Sequence, residues 1–310
     1  MAEPQNDARI GPTFATRRLA MPDNQHGRLP LVWITGAGGL IGGYLVRTAR
    51  TFAPRWRIFP LARSDVDLAD FPKVAALFHQ EQPDAILHCA ALSKSPDCQA
   101  NPALAQRLNV DVTRYLCELS RDIPFIFFSS DLVFDGRTGN YDETSKVNPL
   151  SVYAKTKVAA ESYVLSNPRH TVIRTSLNGG ISPTGDRGFN EQLRNAWRAG
   201  EMVRLFTDEF RCPMHAEVTA RAAWELLSRN QPGLYHVAGN QRLSRWDIGQ
   251  LLAPRWPDLS PKLVATSFKE YQGAPRAPDT SLNCARAQRL LSFRLPGLSD
   301  WLAAHPNDPF

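Results

Sequence analysis

The segment that most limits what this chain can fold into is LVWITGAGGLIG, residues 31–42. A short apolar run, LVWIT, enters a glycine-rich turn. LIGGYLVRTARTF (40–52) then places Leu40, Tyr44, Leu45 and Thr48 at helical spacing. Glycines at 36, 39 and 42 give a GxxGxxG pattern, with Gly38 between them. A strand that turns on glycine into a helix lets backbone approach an anion closely, and the helix N-terminus offers free N–H groups and the positive end of its dipole. The spacing therefore predicts a dinucleotide pyrophosphate on Gly36, Gly38, Gly39, Leu40, Ile41 and Gly42.

The same alternation continues. RIFPL (57–61) reads as a second strand, with Pro60 marking an edge. PKVAALFHQ (72–80) reads as a helix and AILHCAA (85–91) as a buried strand. NPALAQRLNVDVTRYLCELSRD (101–122) reads as one long helix opened by Asn101 and Pro102. FIFFSS (125–130), VYAKTKVAAESYVL (152–165) and TVIRTS (171–176) follow as strand, helix and strand. Apolar strands without alternation, each separated by a helix, imply a parallel sheet covered on both faces. The expected class is α/β: a Rossmann-type doubly wound parallel sheet over 29–178, with a smaller C-terminal α+β substrate-binding lobe over 179–310. A strand near 234–237 is expected to interleave that lobe with the sheet. Residues 1–28 are polar and turn-rich without a hydrophobic period, and read as a disordered extension.

Composition excludes other classes. No apolar run approaches the length of a membrane span. The five cysteines (89, 98, 117, 212 and 284) are scattered without a CxxC pair, so neither a disulfide framework nor a metal site is expected, and a reducing cytoplasm is. The net charge of +6 is spread thinly along the chain, with no basic block interleaved with aromatics, which argues against a nucleic-acid partner.

The residue that selects the ribose form should follow the second strand. That position reads Leu61-Ala62-Arg63-Ser64, and an arginine there suits a 2′-phosphate, so NADP is preferred. Asp65 and Asp67 keep NAD possible. Ser64, Asp67 and Leu68 join Arg63 as candidates around the adenosine ribose. The small Ala90 and Ala91, at the carboxyl end of the third strand, leave room for the nicotinamide half. His88 and Cys89 sit within that strand and read as core.

FIFFSS brings Ser129 and Ser130 to the same rim as the glycine turn. Tyr153 and Lys157 follow as YxxxK on a helix, where positions four apart share a face. An ammonium beside a phenol favours phenolate and makes Tyr153 a usable acid–base, with Ser130 free to hydrogen-bond a reacting carbonyl. Lys155 points elsewhere.

On these residues the chain resembles the dTDP-4-dehydrorhamnose reductase family of extended short-chain dehydrogenases/reductases. FSSDLVFDGRTGNYDETSKVNPLSVYAKTKVAAE (128–161) carries most of the likeness. AALSKSPDCQANP (90–102), FTDEFRCPMHAEVTARAA (206–223) and APRAPDTSLNCARAQRLL (274–291) extend it over about 31–295. The resemblance implies reduction of the 4-keto group of a nucleotide-linked deoxysugar by NADPH or NADH, in a monomer or homodimer. It puts Ser130 at the family's catalytic threonine, makes Tyr153 the proton donor and sets Lys157, with Ser129, at the cofactor. It implies sugar-nucleotide contacts at Ser93 and Asp131, and diphosphate contacts at Arg211 and Arg276. Leu132 and Leu177 depart from it, standing where the family has a tyrosine and a tryptophan. The alternatives are an epimerase or dehydratase of the same superfamily, or a non-catalytic subunit resembling the methionine adenosyltransferase β-subunit.

Overall fold

The structure, a computed structural model, describes residues 28–308. The expected extension therefore lies, Arg28 apart, outside the described residues. Six parallel strands form the central sheet: β1 (Leu31–Thr35), β2 (Arg57–Leu61), β3 (Ala85–His88), β4 (Phe125–Ser130), β5 (Thr171–Thr175) and β6 (Gly233–Val237). Their order is β6-β5-β4-β3-β1-β2, so the winding direction reverses between β1 and β3. A ligand crevice is expected outside the strands' carboxyl ends at such a reversal. Every residue of β1, β3, β4 and β5 is buried, which is why those strands read as unbroken apolar runs. Leucine 61 is the one buried residue of β2, as befits an edge strand that carries Pro60.

One face of the sheet is covered by α1 (Leu40–Phe52) and by α8 (Ala216–Ser228) from the C-terminal half, around Trp56 and Trp224. The other carries α2 (Phe71–Glu81), α5 (Val112–Leu119) and α6 (Val152–Leu165) around Trp33. The sheet is thus completed from beyond residue 178: α8 packs beside α1, and β6 pairs with β5 from Gly233↔Thr171 to Val237↔Thr175. The lobe has its own apolar cluster, built on α7 (Phe189–Arg198), α9 (Arg245–Leu252) and helix Leu298–Ala304, with Leu193, Trp197, Ile248 and Trp301 inside.

Two departures from the expected elements have local causes. The long helix over 101–122 is divided. It consists of α4 (Pro102–Gln106), one π-helical turn (Arg107–Asp111) and α5, and a further helix, α3 (Ser95–Ala100), precedes it. A π-helical turn holds about one residue more than an α-turn and slips the hydrophobic phase by only that much, so periodicity does not separate the two helices. Strand Lys262–Thr266, paired with Met202–Phe206, has no buried residue, and its apolar run, Leu263 to Ala265, is too short to mark it. No helix among the described residues is long and apolar enough to cross a membrane.

Candidate active site

At the turn after β1, Gly36 is left-handed at φ +69°, and a Cβ there would sit 2.7 Å from the Ala90 backbone nitrogen. A Cβ on Gly42 would sit 2.2 Å from the Gly36 carbonyl oxygen. These two glycines let α1 start directly against the ends of β1 and β3. Gly38 faces open space, with Ala62 Cβ at 4.0 Å as its nearest contact. The first turn of α1 has neither a capping side chain nor an acidic residue, whereas Asp70, Ser151 and Ser244 cap α2, α6 and α9. The N–H groups of Leu40, Ile41 and Gly42 precede the first helical bond, from Gly43 N to the Gly39 carbonyl. A helix start left with open donors and no acid is the chemistry a pyrophosphate requires.

Beneath this turn, buried His88 bridges the Thr35 hydroxyl (2.7 Å) and the Thr113 hydroxyl (3.1 Å). Burial lowers its imidazole to about 3, so it stays neutral and ties β1, β3 and α5 together. Asn109, within the π-helical turn, accepts from Leu92 N at 2.7 Å and donates to the Leu92 carbonyl at 3.1 Å. It also donates to the Thr156 hydroxyl of α6 at 3.0 Å. It thereby fixes the loop after β3, on which Ala90, Ala91 and the exposed Ser93 lie.

Arg63 is exposed and has no ion pair among the described residues. Its acidic neighbours are occupied: Asp65 accepts from Ala62 N at 2.7 Å and Asp67 from Ala69 N at 3.0 Å. Ser64 is exposed, its hydroxyl 3.4 Å from Asp65, while half-buried Leu68 packs into the core beneath the sheet. The turn after β2 therefore presents a cation outward and folds its carboxylates into its own backbone.

Ser129 and Ser130 end β4, and Ser151 caps α6 so that Tyr153 and Lys157 share its inward face. Lys157 is 4% exposed, with Nζ 4.2 Å from the Phe127 ring centroid and 6.0 Å from that of Tyr153. No hydrogen bond or ion pair holds this ammonium among the described residues. The buried Ser129 hydroxyl likewise has no partner. An unpaired ammonium on α6 and an orphan hydroxyl at the end of β4 fit the hydroxyls of a dinucleotide's nicotinamide ribose.

The sign of the Tyr153 perturbation differs from expectation. Burial, and then the Asp131 carboxylate, push its phenol up, while the Ser130 hydroxyl and Arg211 act the other way. The Lys157 ammonium lies over Phe127, too far away to reverse this. A phenol that keeps its proton suits donation better than abstraction.

Burial also lowers Lys157 to about 8 from 10.5. The unfolded chain binds this proton more tightly, so the penalty on folding is complete below about pH 8 and fades as pH rises toward 10.5. Lys157→Met should therefore stabilise the cofactor-free protein near pH 7, by up to about 3 kcal/mol. The gain should shrink to little above pH 10, as read by thermal melting across pH. A variant no more stable than the wild type at neutral pH would show that the ammonium is compensated.

Two expected ligand contacts are placed elsewhere. Asp131 is 3% exposed, and its Oδ2 is taken by Ser176 Oγ (2.6 Å), Thr280 Oγ1 (3.0 Å) and Arg211 Nη1 (3.0 Å). Arg211 is 4% exposed. Its Nη1 also donates to Thr280 Oγ1 (2.8 Å), and its Nε and Nη2 donate to Glu209 Oε1. With every nitrogen engaged by protein, Arg211 lies below the surface a diphosphate could reach. Arg276 is half-buried between the rings of Phe206 and Tyr271, and its guanidinium also binds Glu209. Glu209 is fully buried and receives Arg211, Arg245 and Arg276 together. Nothing local in FTDEFR signals this hub, because Arg276 lies 67 residues away. Leu132 is half-buried in the turn after β4, and Leu177 packs into the lobe's apolar cluster.

The profile of the RmlD substrate binding domain family matches residues 31–305. The chain belongs to this family. Among relatives, the probable low-salt glycan biosynthesis reductase Agl14 of Haloferax volcanii is 32% identical, over 88% of this chain and 96% of its own. A dTDP-4-dehydrorhamnose reductase of Sinorhizobium fredii is 29% identical over 85% and 92%. Methionine adenosyltransferase 2 subunit beta of Xenopus laevis is 26% identical over 83% and 81%. Among solved structures, the dTDP-4-dehydrorhamnose reductase of Bacillus anthracis in complex with NADP shares the fold. Its TM-score is 0.80 at 22% identity, over 89% of this chain and 98% of that one. The six-stranded parallel sheet is the Rossmann-type sheet of this RmlD family.

Proposed function

We propose that this protein reduces the 4-keto group of a nucleotide-linked deoxysugar, with NADPH as the preferred donor. The observation that carries this reading is the meeting of Ser130, Tyr153 and Lys157 at the rim where the uncapped start of α1 offers its N–H groups. The reductases among its relatives support it. The NADP held by the Bacillus anthracis enzyme, together with the outward cation of Arg63, favours the phosphorylated cofactor.

In this reading residues 29–178 hold the dinucleotide and 179–310 form the substrate lobe, which lends α8 and β6 to the sheet. Backbone from Gly36 to Gly42 holds the pyrophosphate. Lys157 and Ser129 hold the ribose hydroxyls, and Ala90 and Ala91 leave room beside them. The cofactor supplies a hydride to the sugar's carbonyl carbon. Tyr153 then gives its phenolic proton to the carbonyl oxygen, and Ser130 donates a hydrogen bond to that oxygen. Arg276 meets the substrate's diphosphate, and Ser93 lies beside the sugar.

Oxidation of NADPH, followed at 340 nm against dTDP-, GDP-, UDP- and CDP-linked 4-keto sugars, tests the reading. Turnover of one of them is expected, and turnover of none would overturn it. Arg63→Ala should weaken NADPH roughly tenfold to a hundredfold, the worth of one charge-assisted contact, and leave NADH binding unchanged. Fluorescence titration of both nucleotides reads this directly.

The similarity to methionine adenosyltransferase 2 subunit beta favours a second reading, a cofactor-binding subunit that does no chemistry. Inactivity on the whole panel together with stoichiometric capture of a partner enzyme would select it.

A further inference from the structure

The Ser130 hydroxyl has one proton, and here it is donated to Asp131 Oδ1 at 3.2 Å while its oxygen accepts from Leu132 N. Reduction needs that proton on the substrate carbonyl, so Asp131 competes with substrate for it. How strongly Asp131 competes depends on what else its charge is paired with. The other oxygen, Oδ2, carries the Arg211 guanidinium and two hydroxyls, from Ser176 and Thr280. These draw the negative charge away from Oδ1 and leave it a weak acceptor. Arg211 is itself fixed by Glu209, which is locked in turn by Arg245 and Arg276.

We propose that Arg211 is a positioning residue for the reduction: by pairing with Asp131 it releases the Ser130 proton to the substrate carbonyl, and Glu209 holds it in place. The assignment rests on the reductase reading above. The same pairing bears on Tyr153, since Asp131 raises its phenol and Arg211 opposes that rise. Of the other groups facing the phenol, Cys98 raises it and the Ser130 hydroxyl lowers it, and Lys157 lies 6.0 Å from the ring centroid. Removing Arg211 leaves Asp131 charged and underpaired. Ser130 is then held more tightly and Tyr153 becomes a weaker acid.

The test is a cycle of Arg211→Met, Arg211→Lys and the double variant Asp131→Asn/Arg211→Met, assayed with NADPH and the 4-keto sugar nucleotides named above. Arg211→Met should lower kcat about thirtyfold, less than the hundredfold or more for losing an oxyanion donor outright because the Ser130 hydroxyl is weakened and not removed, with KM within about threefold. Its solvent deuterium isotope effect on kcat should rise, because the weaker phenolic acid makes proton transfer more nearly rate-limiting. Arg211→Lys should keep the wild-type effect. The double variant should restore it and recover about tenfold of the rate, because it removes the charge that Arg211 exists to neutralise. A structural role predicts otherwise: an unchanged isotope effect, kcat and KM impaired together, and a double variant no better than the single. Those results overturn the assignment. Should Arg211→Met fail to fold, the double variant and Arg211→Lys decide the matter on the same criteria, since neither buries an unpaired carboxylate. A wild-type protein inactive on every sugar overturns the reductase reading and this assignment with it. An active wild type with a flat cycle overturns the assignment alone.

Discussion

Tyr153→Phe should lose between about a hundredfold and ten-thousandfold in kcat, the span over which positioned proton donors contribute. The change removes one oxygen from a side chain whose ring is fixed by α6, whose N-terminus Ser151 caps. NADPH should bind the variant within about twofold of the wild type, because in the proposed reading the cofactor is held chiefly by the turn after β1, Arg63 and Lys157. The substitution thus separates binding from chemistry. Single-turnover NADPH oxidation reads the chemistry and fluorescence titration the binding. Unchanged turnover would assign the proton to another acid, and joint loss of binding and turnover would mean that the phenol helps to build the site.

Glu209→Ala should cost about 3–5 kcal/mol, the usual result of removing one partner from a buried ion pair. Arg211, Arg245 and Arg276 would lose their shared counter-ion, and Arg211 is itself buried. A fall in Tm of the order of 10 °C follows for a chain of this size. The acid side adds a check with a definite sign. Neighbouring guanidinium groups hold the Glu209 carboxyl well below its ordinary 4.5, against the opposing effect of burial. Its contribution is therefore complete above about pH 4.5 and is lost as pH falls toward the depressed value. Wild-type stability should fall steeply below that point and the variant's less so. Parallel acid profiles would show that Glu209 is not the group being titrated.

The cofactor half of the site was legible because its determinants are local. A short apolar run, a glycine turn and a helix fall within 22 consecutive residues, 31–52, and the same stretch folds into β1, the turn and α1. Ser130 was legible as the end of an apolar run, and Tyr153 with Lys157 as an i, i+4 pair on a helix. The sign of the Tyr153 shift was not, since it turns on how deeply the phenol is buried and on Asp131, which the YxxxK spacing does not report. The division of α4 from α5 was also invisible, because one π-helical turn slips the hydrophobic phase by only about one residue.

Charge pairing was the least legible property. Arg211 and Arg276 looked alike in the sequence, each an arginine in a polar segment. The fold buries one completely and leaves the other half-exposed between two rings. Their shared partner Glu209 lies 67 residues from Arg276, and Asp131 lies 149 residues from Thr280, whose hydroxyl it shares with Arg211. By itself, then, the sequence determined the nucleotide-type fold and the serine–tyrosine–lysine set, since periodicity and short spacing act within one strand or one helix. Only the tertiary structure decided which arginine is locked inside the frame and which stays half-exposed, because an ion's worth depends on the solvent and counter-charges that distant segments bring to it.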